Sequence, residues 1–387
     1  MSEVAAMTDR IARRGWWAWW LAALVACATC DARAGSVVYS NDFENAAGPE
    51  WSSNNVETTP AGNRHFLGGF TTDKVTLTLE KLPKHAYVRV TLDVYVMGTW
   101  YGNGTVTLAG ARIGPNYWRM GVDGGVTLVD ASFSNMDFIS RSVPRDATLQ
   151  SYPSVLPGEA YLARTGAAES NTLGVEWEGF EDGVSRQVDT VYPMSFVIRH
   201  DGTRVAFDFQ GGDGLQAADG ESWGLDNVKV EVLDDADVKR PDVAEMRRLW
   251  EAVGGHDPVA ETVAFWGLAA GGDAAADFLR DRVPRGGVDR KRFDALVAQL
   301  DGGDFQAREC ATEALKAMGP PIEALLHDAA DRAESAEVKL RLESILRGMG
   351  TTPPADPQMR RHAIAMRLLR VIGTPEAAKV ARELSGK

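Results

Sequence analysis

Catalysis or ligand binding in this chain has few residues to draw on, and they fall into three groups. EWEGFED (residues 176–182) offers Glu176, Glu178, Glu181 and Asp182, and a glycoside hydrolase needs two carboxylates facing each other about 5–10 Å apart. All four lie in one glycine-containing loop, where acidic runs are ordinarily solvated, and no ExDxxE-type strand motif accompanies them. Trp100, Tyr101, Tyr117, Trp118, Trp177 and Trp223 are rings on which a sugar could stack, since an aromatic face offers apolar area at low entropic cost. Trp100 and Tyr101, in the glycine-rich GTWYGNG (98–104), are the candidates expected to be exposed, and Trp223 is expected in the core. ESWGLDNVKVEV (221–232) packs Glu221, Trp223 and Asp226 around a glycine and then alternates. His65, His85, His200, His256, His327 and His362 are dispersed, with no HxH, HExxH or cysteine partner. Zinc and Ser-His-Asp chemistry therefore lack sequence support.

The elements that must carry these residues change character once along the chain. From Val37 to Val232 the signal is period-2 alternation broken by Gly, Asn, Asp and Pro. Val75, Leu77 and Leu79 oppose Thr76, Thr78 and Glu80, while Val88, Val90, Leu92, Val94 and Val96 oppose Arg89, Thr91, Asp93 and Tyr95. Half-buried antiparallel strands require this pattern. Many such strands without intervening helices predict a β-sandwich, a jelly roll. The strand-poor stretches are 98–104 and 136–191, read as binding loops or decoration. After LDDADVKRPDVAE (233–245), Ala, Leu, Arg and Glu take over at helical spacing. Asp242 reads as an N-cap and Gly254-Gly255 as a stop, and recurring MG and IG stops imply consecutive short helices stacked in pairs. Arg360, Arg361, Arg367 and Arg370 on one of them read as a solvated face. Cys310 is expected to be a partly exposed thiol without an activating neighbour.

Residues 1–34 read as a signal peptide: Arg10, Arg13 and Arg14, an apolar run over 15–27, then Ala32 and Ala34 in A-x-A spacing before Gly35. The run is too short for a comfortable membrane span. Cleavage after Ala34 is the first expectation, and a lipobox-like Leu24–Ala26 before Cys27 leaves lipoprotein anchoring as the alternative. The expected divisions are a sandwich over 35–235, a linker over 236–241 and a helical domain over 242–387, exported to the periplasm, envelope or exterior. A net charge of −13 argues against nucleic acid and anionic membranes as partners, since their binders carry basic patches.

Two resemblances can be placed on particular residues. LVAQLDGGDFQARECATEALKAMG, then EVKLRLESIL and LRVIGTPEA, resemble HEAT-like helical regions appended to many bacterial proteins, including WD-repeat propellers. That resemblance implies an all-α interaction module and brings no catalytic residues. YSNDFE, RTGAAESNTLG and ESWGLDNVKV are similar to jelly-roll sandwiches of secreted bacterial proteins, and more distantly to MAM-type and carbohydrate-binding modules. In such sandwiches the first and last strands are neighbours, and acidic residues at their ends can share a structural cation. By position these are Asp42, Glu44 and Asp226, with one calcium ion as the implied cofactor, because calcium takes about 6–8 oxygen ligands. The expectation is thus a non-enzymatic exported protein: a jelly-roll sandwich binding a glycan or protein ligand through Trp100, Tyr101, Trp118 and Trp177, and a HEAT-like region making protein contacts. The alternatives are a carbohydrate-active hydrolase using the Glu176–Asp182 loop and an envelope scaffold without a small ligand.

Overall fold

The computed structural model describes residues 35–108, 111–122, 125–136, 148–156, 159–178, 183–212, 214–216, 220–283, 290–319, 322–348 and 357–385. The expected leader, with Cys27 and Ala34, lies outside the described residues, as do Glu181 and Asp182.

VTLTLE and VRVTLDVYV become the antiparallel strands β4 (Lys74–Glu80) and β5 (Tyr87–Met97), which bury their valine and leucine faces. They belong to opposite sheets. The larger sheet runs β10 (Glu169–Ser170), β13 (Asp189–Arg199), β5, β15 (Ser222–Leu233), β3 (His65–Phe70), β2 (Val56–Thr58), with β1 (Ser36–Asn41) also paired to β15. The smaller runs β4, β14 (Arg204–Gly211), β8 (Tyr117–Val122), β9 (Val126–Ser132). Their inner faces close one core, in which Trp118 and Trp223 meet Phe70 and Phe209. Two short ribbons lie outside the sheets: β6 (Val106–Leu108) with β7 (Ala111–Ile113), and β11 (Glu176–Glu178) with β12 (Ser185–Gln187).

The chain then becomes helical: α1 (Val243–Ala252), α2 (Pro258–Ala269), α3 (Gly272–Arg280), α4 (Arg290–Gln299), α5 (Phe305–Met318), α6 (Glu323–Arg332), α7 (Ala336–Gly348), α8 (Pro357–Ile372) and α9 (Pro375–Leu384). Asp242 caps α1 by accepting from the Glu245 amide at 2.8 Å, and Asp257, Asp304 and Thr374 cap α2, α5 and α9 alike. Such caps satisfy amides that the first helical turn leaves open. Gly319 and Gly373 take the left-handed backbone (φ 68° and 66°) that stops α5 and α8.

The order of packing departs from a simple succession of stacked pairs. α4 to α7 form a core of their own, whereas α8 and α9 return to α2 and α3. The reason lies in α8, where nine of sixteen residues are buried. A helix apolar on more than one stripe needs partners on more than one side. It finds them in α2, α3 and α9 and in β9 and β13 of the sandwich. Among the described residues no helix is long and apolar enough to cross a membrane.

Candidate functional site

Three of the four expected stacking rings are core residues. Trp100, Tyr101 and Trp118 are 0%, 2% and 0% exposed. The glycine-rich loop is tied down from a distance rather than held out. The Trp100 indole donates to the carbonyls of Met97 (2.9 Å) and Ser222 (3.1 Å). The Tyr101 amide donates to Asn116 Oδ1 at 2.6 Å, and the Asn135 amide donates to the Trp100 carbonyl at 3.0 Å. Both asparagines are fully buried, and buried amides persist only when hydrogen-bonded. Asn135 Nδ2 meets the carbonyls of Val96, Gly98 and Val188 at 3.0–3.1 Å. Trp177 is half-buried on β11, opposite Arg186 of β12. On the same ribbon Glu176 and Glu178 are exposed, and Glu176 accepts from the Ser185 hydroxyl at 3.1 Å.

The acidic corner is organised by a fork in β15. One edge of this strand pairs with β5 throughout, while the other pairs with β3 over Trp223–Leu225 and with β1 over Val228–Val232. The change falls on Asp226–Asn227, a bulge where Asn227 adopts φ 50°. Bulges of this kind re-aim side chains. Asp226 Oδ2 accepts from the Tyr95 hydroxyl at 2.7 Å and Oδ1 from the Asn227 amide at 2.6 Å. Asn227 Nδ2 donates to Asp93 Oδ2 at 2.8 Å. Arg64 grips Glu169 with both terminal nitrogens (3.2 and 2.7 Å) next to this set. Burial pushes the Asp226 carboxyl up, with the charges of Asp93 and Asp42 adding to it, while Tyr95 and Asn227 pull it back. Burial also raises Asp93, and raises Tyr95 together with its bond to Asp226. Arg64 holds Glu169 below its ordinary range.

The first and last strands are therefore neighbours, and Asp42 is near enough to act on Asp226. The expected calcium triad is nevertheless not assembled as one ligand set. Both Asp226 oxygens are bonded within the protein, and Glu44 lies 3.2 Å from His65 Nδ1. Among the described residues no group of three or more His, Cys, Asp or Glu side chains is arranged to hold a metal.

From this corner polar rows cross the outer face of the larger sheet. Ser195, Thr91 and Lys229 stand in one register row, and Pro193, Asp93 and Asp226 in the next. The Ser195 and Thr91 hydroxyls are 3.3 Å apart, and Glu231 pairs with Lys229 and Arg89 (3.2 and 3.4 Å). Asn227 is exposed, and Thr91, Asp93, Ser195 and Lys229 are half-buried. This face brings together hydroxyls, a carboxylate, an amide and an ammonium already held in place by one another. Sequence reasoning singled out Asp226 but missed Asp93, Tyr95 and Asn227. The outward alternation of Asp93 and Tyr95 in β5 was the available signal.

A consequence follows for acid titration. Asp93 and Asp226 hold protons in the folded chain that the unfolded chain releases, so stability falls as pH rises from the ordinary carboxylate value through the raised one. Asp93→Asn keeps an acceptor for Asn227 and removes one of these charges. It is expected to flatten the decline, read by denaturant unfolding stepped from about pH 4 to pH 7.

The second feature is the joint between sandwich and helices. Arg360, expected on a solvated face, sits instead between them. Its Nε meets Glu159 at 2.6 Å, and Nη1 and Nη2 meet the Glu261 carboxylate at 2.6 and 2.7 Å. The Glu261 side chain is 1% exposed. Burial pushes Glu261 up against the pull of Arg360. Burial likewise opposes the Arg360 charge, but its bonds to Glu261 and Glu159 outweigh that and keep the guanidinium charged. Thr262 donates to the Pro153 carbonyl, Val155 and Leu156 enter the helical core, and Trp266 meets Phe196 edge-on at 4.9 Å. Beside them Leu128, Met194, Phe196, Val263, Phe265 and Trp266 line an apolar cavity of about 40 Å³. That volume holds a few waters and no sugar ring.

No protein-family model matches the chain, and no curated protein matches it. Solved structures match over part of it. The CBM22-1–CBM22-2 tandem domain of Xyn10C from Paenibacillus barcinonensis is 13% identical, with TM-score 0.23, covering 53% of this chain and 48% of that one. A 4-O-methyl-α-glucuronidase with specificity for decorated arabinogalactans is 9% identical, with TM-score 0.25, covering 51% and 18%. An exo-β-1,3-galactanase from Phanerochaete chrysosporium is 12% identical, with TM-score 0.22, covering 51% and 29%. The chain spans less than half the length of each of these structures.

Proposed function

We propose that this is an exported, non-catalytic binding protein. A jelly-roll sandwich presents the polar rows of its larger sheet to a glycan, and a HEAT-like helical region mounts the sandwich and contacts protein partners. The observation that carries this reading is the pre-arranged set at the β15 fork: Asp93, Tyr95, Asp226 and Asn227 linked by hydrogen bonds of 2.6–2.8 Å, with Asn227 facing solvent. A sugar offers adjacent hydroxyls that both donate and accept, and a fixed carboxylate beside a fixed amide answers both without further ordering cost. With Trp100, Tyr101 and Trp118 buried, ring stacking contributes little, so binding rests on hydrogen bonds.

The test is a glycan-array screen of the full chain with and without calcium, repeated with Asn227→Ala. The expected result is a retained glycan class whose binding falls about two- to tenfold in the variant, one neutral hydrogen bond being worth about 0.5–1.5 kcal/mol. The variant is expected to be somewhat less stable, because it removes the bond to Asp93 and sets alanine at φ 50°, so binding is compared at a temperature where both proteins are folded. No retention under either condition would sink the glycan reading. Calcium-dependent retention would place a cation at Asp42 and Asp226, and reducing sugar released by wild type but not by Glu176→Gln would overturn the non-catalytic part.

A further inference from the structure

Two of the six histidines, separated by more than a hundred residues, meet at one end of the sandwich. His85 Nε2 lies 2.8 Å from His200 Nδ1. The ring planes are 13° apart and the centroids 5.1 Å apart, the arrangement of two rings joined end to end through one N–H···N bond rather than laid face over face. The outer nitrogens are also engaged: His85 Nδ1 lies 2.6 Å from the Pro83 carbonyl and His200 Nε2 3.0 Å from the Arg204 carbonyl.

A carbonyl oxygen only accepts, so His85 Nδ1 and His200 Nε2 must both carry hydrogen. The bond between the rings needs one hydrogen more. Four nitrogens therefore carry three protons, whereas two neutral imidazoles carry two. We propose that His85 and His200 form a proton-operated latch, an imidazole and an imidazolium sharing one positive charge. Loss of that proton must break one of the three bonds or set two lone pairs against each other at 2.8 Å.

The latch joins the β4–β5 connection to the β13–β14 turn. Backbone bonds from Leu82 to Thr203 (2.9 Å) and from His200 to Ala86 (3.1 Å) join the same two segments, and the Ala86 amide donates to Leu233 at 2.9 Å, where β15 leaves for the helices. His85 is buried and His200 is partly open to solvent, so the proton has a route in and out. The charged and titratable groups on the surrounding elements are Lys81 and Lys84 before β5, Arg199 and Asp201 at the turn, Arg204 of β14 paired with Glu80 of β4 at 3.1 Å, and Tyr87 of β5, which accepts from Arg240 at 3.1 Å.

The folded pair holds one proton more than two neutral rings and one fewer than two imidazoliums, so its contribution to stability is greatest between those limits. It is lost as pH rises and the unfolded rings become neutral, and also as pH falls and both unfolded rings become charged. One linked proton changes the unfolding constant by up to about tenfold per pH unit. The experiment is denaturant unfolding of the full chain between about pH 5 and pH 8.5, the range in which histidine ordinarily titrates. It compares wild type with His200→Ala, and histidine-ring ¹⁵N spectra follow the wild type. His65, His256, His327 and His362 contribute to both proteins. The stability difference between wild type and the variant should peak within this range and shrink on both sides of it, and the spectra should show three protonated ring nitrogens on the pair at the peak, falling to two at the high-pH end. A stability difference that stays flat across the range in a folded variant, or two rings that titrate independently, would overturn the latch. His85→Gln gives a second comparison, and the wild-type spectra decide if either variant does not fold.

Discussion

Arg360→Met is expected to lower the unfolding free energy by about 3–5 kcal/mol, the cost of removing one member of a buried ion pair. The size follows from what is left behind. Glu261, 1% exposed, keeps its carboxylate in the joint without the two nitrogens at 2.6 and 2.7 Å that compensate it, and Glu159 loses its partner as well. Arg360→Lys should recover only part of the loss, because an ammonium cannot answer Glu261 with two bonds and Glu159 with a third. Arg360→Met combined with Glu261→Met should be far milder than the single change, since a buried pair replaced together by apolar groups of similar volume is often neutral. Denaturant unfolding measures all three, and limited proteolysis of Arg360→Met should cut first between Leu233 and Val243, where β15 gives way to α1.

Trp223 carries the second large effect. It is fully buried, its ring lies 5.0 Å from Phe70 and 6.1 Å from Trp118, and its indole donates to the Thr71 carbonyl at 2.7 Å. Trp223→Ala opens a large cavity and is expected to cost about 3–5 kcal/mol. Trp223→Phe refills most of that volume but strands the Thr71 carbonyl, at about 1–3 kcal/mol. Trp118 supplies the control, because its buried indole nitrogen has no hydrogen-bond partner among the described residues. Trp118→Phe should therefore cost less than Trp223→Phe, although both rings are equally buried. Gly211→Ala attacks the Trp223 corner from the other side, since a methyl there would overlap the Thr71 carbonyl and come within 2.8 Å of the indole nitrogen. Chemical denaturation followed by tryptophan fluorescence ranks the series.

These residues also show where sequence reading holds. Val88 to Val96 alternate because a strand has period 2, and a period is a local property; their burial in β5 was legible. Asp226 and the first strand were legible as neighbours from the resemblance to jelly rolls, and β1 does pair with β15. Trp100 and Tyr101 were misread because glycine flanks suggest an open loop. The groups that bury them, Asn116 and Asn135, are set by tertiary contacts that no spacing encodes. Arg360 was misread for the same reason. An arginine on an amphipathic helix looks solvated until its partners are known, and here they lie 99 and 201 residues away.

The return of α8 to α2 also sets a schedule. When Glu261 leaves the ribosome, the arginine that answers it follows 99 residues later. At about 5–20 residues per second that is a wait of roughly 5–20 s, during which α4 to α7 can close their own core. Chains broken off in that interval would carry a finished sandwich beside an unfinished joint, whose exposed backbone is open to proteases.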